Sequence, residues 1–126
     1  MGIIVAIALG GALGSLARHG FAVWLEQLLG RDFPYGVFIA NIVGSALMGL
    51  CFILLVEKTL LSEFWRTLIM VGFLGAFTTF STYSVQSLAL LQDGRLGAAA
   101  IYILGSVVLS LTGAYGGILL GRSFTN

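Results

Sequence analysis

The sequence predicts an all-α integral membrane protein, a single domain over residues 1–126 built from four transmembrane helices. Composition is the first ground: 59% of residues are hydrophobic, 9% are charged, and mean hydropathy is +1.07. Six Lys and Arg with five Asp and Glu cannot cover a soluble globule of this length, whereas lipid needs no such cover. Four long charge-free windows are the second ground, and the third is that the short stretches between them hold most of the charge. A net charge of +1 gives nucleic acid no electrostatic footing.

The first window runs from Gly2 to Ala17, is interrupted by Arg18 and His19, and resumes to Leu25. Its apolar run resembles a signal peptide, but no basic stretch precedes it and Arg18 stands where cleavage needs small neutral residues. It is read as a retained helix. The second window is Val37 to Val56, the third Thr67 to Gln92, and the fourth Leu96 to Gly121. Each can cross a bilayer core of about 30 Å at ~1.5 Å rise per residue. Glu26 to Gly36, Glu57 to Arg66 and Asp93 to Arg95 connect them.

With four spans, Lys58, Arg66 and Arg122 lie on one face, and Arg31, Arg95 and Arg18 on or near the other. So weak a bias gives the positive-inside rule little to act on. It permits insertion in both orientations and an antiparallel homodimer of one sequence; on charge alone, a single topology stays open. Small residues recur at helix-contact spacing, as in Gly10 and Gly14, Gly11 and Ser15, Gly36, Ala40 and Gly44, and Gly113, Gly117 and Gly121.

Function should lie where polar groups enter the charge-free windows. Residues 75 to 84 read Gly-Ala-Phe-Thr-Thr-Phe-Ser-Thr-Tyr-Ser, six hydroxyls in ten positions. Such a knot at mid-depth must face protein, an ion or a water-filled path. A helix break between Gly75 and Phe80 would free the carbonyls of Gly75 and Thr78, and a buried monovalent cation fits them. Phe80 and Tyr83 lie one turn apart and can present positive ring edges to a small anion, although aromatics so spaced are normally packing. Thr79, Tyr83 and Gln86 share a stripe. In the second helix Asn41 lies with Ser45 and Gly49 on one face, as interhelical glue or as an amide donor to an anion. In the fourth, Tyr102, Ser106, Ser110, Gly113 and Gly117 form a polar track, although any single hydroxyl there usually bonds back to its own helix.

Enzyme chemistry finds no support, because His19 and Cys51 are the only residues of their kinds and the second to fourth windows hold no carboxylate. A small multidrug-type proton-coupled transporter is the alternative by size. It needs a membrane-embedded acid, and Glu26, Glu57, Glu63 and Asp93 all fall at or near helix ends. A structural anchor subunit would explain the glycines but not the aligned hydroxyls.

The run Gly72-Phe-Leu-Gly-Ala-Phe-Thr-Thr-Phe-Ser-Thr-Tyr-Ser84, the early Gly10-Gly-Ala-Leu-Gly-Ser-Leu-Ala-Arg18, and Asn41 followed by Gly44 together resemble the Fluc (CrcB) family of fluoride channels. The resemblance spans nearly the whole chain. It implies a dual-topology antiparallel homodimer in the inner membrane, passive export of fluoride that lowers its cytoplasmic level, and a structural sodium ion at the dimer centre. By motif position it implies a fluoride pore at Asn41, Phe80, Tyr83, Ser106 and Ser110 with Tyr102 nearby, sodium on the carbonyls of Gly75 and Thr78, and a vestibule role for Arg18, whose other role would be snorkelling to the interface. Thr79 and Gln86 join the pore set through their stripe. Tyr83 stands where the family usually has phenylalanine, and Gln86 where many relatives have glutamate.

Overall fold

The computed structural model describes residues 1–126 and contains only helices and turns. Helix α1 is Gly2–Leu29, and α2 is Tyr35–Cys51, which runs on as a π-helical segment, Phe52–Glu57. Then follow α3, Glu63–Arg66, a second π-helical segment, Thr67–Leu74, and α4, Gly75–Phe77. Helix α5 is Ser81–Gln92 and α6 is Leu96–Thr125. Four of these stretches are long and apolar enough to cross a membrane: Gly2–Leu29, Tyr35–Glu57, Glu63–Gln92 and Leu96–Thr125.

The spans outrun the charge-free windows, because a charged side chain near a helix end can reach the interface while its backbone stays helical. Glu26 does so in α1 and meets Arg31 at 3.4 Å; Arg122 does so in α6 and meets Glu57 at 3.8 Å. Both pairs are solvent-exposed and contribute little stability. Two of the three turns carry a glycine at positive φ, and the third carries Thr59 at 49°. Gly30, at 91°, ends α1 with its N–H on the Glu26 carbonyl. Gly94, at 74°, ends α5, where Arg95 N–H bonds Leu90 O and Gly94 N–H bonds Leu91 O. This is a Schellman closure, and it turns the chain within Asp93 to Arg95.

Helix α2 lies along α6, and α1 lies along the π-helical segment Thr67–Leu74. Glycines make both contacts close. A Cβ at Gly10 would strike the Leu68 carbonyl, one at Gly14 the Phe73 carbonyl, one at Gly49 the Ala114 carbonyl, and one at Gly117 the Ala46 carbonyl. Most of the small-residue spacings are therefore used inside one chain. Gly11 is different: a Cβ there would meet nothing within 4 Å. The largest fully buried side chains are Tyr102 and Ile53. Tyr102 sits edge-on to Phe33 at 5.5 Å and beside Tyr83 at 5.3 Å. Ile4, Leu13, Leu16, Ile101, Leu104 and Leu111 point outward, as they can only against lipid or another apolar surface.

Replacing Gly117 by leucine should lower stability by about 1–3 kcal/mol or more, because α2 must move off α6. Gly116→Leu, on the open side of the same helix, should leave it unchanged. Thermal unfolding of the two variants in detergent micelles measures the difference; equal midpoints would refute the close α2–α6 contact.

Candidate functional site

Regular helix stops at Phe77, Thr78 is extended at φ −93° and ψ 155°, and helix resumes at Ser81. Side chains take over the backbone bonding there. Thr79 N–H donates to Asn41 Oδ1 at 2.8 Å, and Asn41 Nδ2 donates back to the Thr79 carbonyl at 3.0 Å. Thr79 Oγ1 accepts the Thr82 N–H at 3.3 Å. Asn41 is brought close by Gly44, one turn on in α2, where a Cβ would collide with the Thr78 methyl. In an unbroken helix the amides of Thr79 and Thr82 would serve the carbonyls of Gly75 and Thr78. Both amides are engaged elsewhere, which strips those two carbonyls of their helical donors.

A cavity of about 360 Å³ opens beside this junction, between α2 and α6. It is lined by Asn41, Gly75, Thr78, Thr79, Phe80, Tyr83, Ser106 and Ser110, eight of the residues singled out in the sequence, with Ser45 and Val107 beside them. Ser45 was legible as a neighbour of Asn41 on its face. Val107 gave no signal, being one apolar residue among many. No side chain in the lining carries a charge.

The hydroxyls divide into two groups. Thr78, Ser84, Ser87 and Thr112 bond back to the carbonyl four residues earlier, as hydroxyls in membrane helices commonly do. Ser106 does not: its Oγ is buried and has no partner. Phe80 is 75% exposed and tilts against the buried Tyr83 ring at 5.4 Å. The Tyr83 hydroxyl is committed to the Ile103 carbonyl of α6, to which it donates at 2.8 Å.

Three singled-out residues lie outside this cavity. Tyr102 is fully buried and donates its hydroxyl to Gln86 Oε1 at 2.7 Å. Gln86 lines a second cavity of about 250 Å³ at the end of the bundle, with Glu26, Arg31, Asp32, Asp93 and Arg95. Tyr102, one turn from Ser106 and bonded to Gln86, therefore stands between the two cavities. Arg18 lines neither; it is half-buried on α1 and makes no ion pair. The stripe of Thr79, Tyr83 and Gln86 is not continuous, because Thr79 precedes the helix and its hydroxyl faces the Thr82 amide.

The main cavity thus offers neutral donors, namely the second Nδ2 proton of Asn41 and the serine hydroxyls, with the Phe80 ring in its lining, next to bare carbonyl oxygens. Donors of this kind suit a small anion, and carbonyls suit a hard cation. No group of three or more His, Cys, Asp or Glu gathers as a transition-metal site would need.

The family described as CrcB-like protein, Camphor Resistance (CrcB), matches residues 5–118. Among similar proteins, the fluoride-specific ion channel FluC of Saccharophagus degradans is 46% identical over 117 residues, covering 92% of this chain and 86% of that protein. The one from Coxiella burnetii is 41% identical over 120 residues, 94% of this chain and 97% of that protein. A third, from Hahella chejuensis, is 44% identical over 119 residues, with 94% of each covered. A match that runs through all four spans and includes the cavity lining leaves one conclusion: this chain belongs to the CrcB family.

Proposed function

We propose that this multi-pass membrane protein is a passive, fluoride-selective channel that exports fluoride across the inner membrane and lowers its cytoplasmic level. The observation that carries the reading is the buried, unpartnered Ser106 hydroxyl in an uncharged cavity shared with Asn41, Ser110 and Phe80. A buried hydroxyl without a partner costs about 1–3 kcal/mol, and an anion accepting its proton removes that cost. Fluoride is small and firmly hydrated, so several close donors must replace its water at once, which a larger anion cannot engage equally. The relatives' shared name, fluoride-specific ion channel, supports the same ion and no enzyme. A proton-coupled multidrug transporter would need an acid in this cavity, and its lining offers none.

The working unit is a dual-topology antiparallel homodimer. Phe80 and Gly75 are exposed on one protomer, and hydroxyls facing lipid there would be costly, so a second copy is the fitting cover. The weak Lys and Arg bias supports insertion both ways. A structural sodium ion at the dimer centre fits the carbonyls of Gly75 and Thr78, which lack their helical amide donors. When bound, sodium would supply a fixed positive charge that satisfies these oxygens. Gly75 has room beside it, since the nearest atom to an added Cβ would be Met70 O at 3.6 Å. A side chain there would meet the other copy and not its own chain.

Three outcomes are expected. In liposomes with valinomycin, potassium fluoride should leave quickly and potassium chloride far more slowly; equal rates would refute selectivity. Phe80→Ile should stay folded and lose flux, while Tyr83→Phe should keep flux and lose about 1 kcal/mol of stability with its bond to Ile103. Flux lost in Tyr83→Phe, or kept in Phe80→Ile, would reverse the roles of ring and hydroxyl. Gly75→Val should yield a folded protomer that no longer dimerises, as read by cross-linking in membranes; an intact dimer would move the contact elsewhere.

A further inference from the structure

We infer that Asn41 and Thr79 are positioning residues for the cation, acting as substitute acceptors that keep the Gly75 and Thr78 carbonyls bare. The inference rests on the sodium reading above and says which side chains create the site. Each carbonyl's helical donor has been diverted to a side-chain oxygen, Thr79 N–H to Asn41 Oδ1 at 2.8 Å and Thr82 N–H to Thr79 Oγ1 at 3.3 Å. These are replacements and not fraying, because the amides stay bonded while the carbonyls do not. The Asn41 carboxamide also donates to the Thr79 carbonyl at 3.0 Å, so the backbone at residue 79 is held through both its N–H and its C=O and cannot swing back toward Gly75. The Thr78 hydroxyl is occupied by the Leu74 carbonyl at 3.0 Å, and its methyl sits in the notch left by Gly44. Thr78 therefore offers a cation its carbonyl and not its hydroxyl.

Asn41 thus has two tasks. Its Oδ1 and one Nδ2 proton shape the cation's ligands, and its remaining Nδ2 proton is free for the anion cavity that it lines. Thr79 serves the cation through a single atom, Oγ1. If that oxygen is removed, the Thr82 amide is free to return to the Thr78 carbonyl and compete with the ion for it.

The test titrates the thermal unfolding midpoint of the full-length protein in detergent with sodium chloride, ionic strength being held with N-methylglucamine chloride. Wild type should gain stability with sodium and saturate. Thr79→Val should need about tenfold more sodium for half the gain, equivalent to about 1.4 kcal/mol of binding energy. Thr79→Ser, which restores the oxygen, should return to the wild-type value, and Asn41→Ala should be shifted at least as far as Thr79→Val. Thr79→Ala removes the same oxygen and replaces Thr79→Val if that variant does not fold. A sodium-responsive wild type with unshifted Thr79 and Asn41 variants would overturn the inference alone. A wild type indifferent to sodium would overturn the sodium reading, and the inference with it.

Discussion

The double hydrogen bond between the Asn41 carboxamide and the backbone of Thr79 is the interaction on which the rest of the site depends. A helix cannot stop inside a bilayer without leaving amides and carbonyls that hydrocarbon will not solvate. Here the third span stops after Phe77, and one side chain from α2 takes up both polar groups of residue 79. Thr79 then takes the Thr82 amide at the start of α5. With the Thr79 and Thr82 amides satisfied in this way, the carbonyls of Gly75 and Thr78 are left bare, which a continuous helix does not permit.

Close backbone packing makes that bond possible. Asn41 is short, so α2 must approach the junction closely, and Gly44 lets the Thr78 methyl into its surface. Gly49 and Gly117 allow α2 and α6 the same closeness, which brings Ser106 and Ser110 to the opposite wall of the cavity. On the other side, Gly10 and Gly14 bring α1 onto the π-helical segment that leads into the junction. The glycines therefore have a functional consequence through distance alone: they set the separations across which short polar side chains can meet.

Two tyrosines tie α5 and α6 in opposite directions. Tyr83 donates from α5 to the Ile103 carbonyl of α6, and Tyr102 donates from α6 to Gln86 of α5, while their rings touch at 5.3 Å. The hydroxyl of Tyr83 is thereby spent on holding the cavity wall. The amide at position 86 accepts the Tyr102 proton through its oxygen and keeps its NH2 group for the second cavity.

The number of spans, the stretches that connect them, and most of the residues that line the cavity were readable in the sequence, because each depends on residue type at short range: charge-free length, charged connections and clustered hydroxyls. Hydrogen-bond direction was not readable, since Asn41 allowed both a glue role and an anion-donor role, and only its distance to residue 79 commits its oxygen and one of its protons. The same holds for Tyr83, whose hydroxyl could equally have entered the cavity, and for Ser106, which differs from Ser84, Ser87 and Thr112 only in having no partner. A sequence specifies which donors and acceptors exist; which of them meet is decided by helix separations of a few ångströms, and those arise only when all four spans pack.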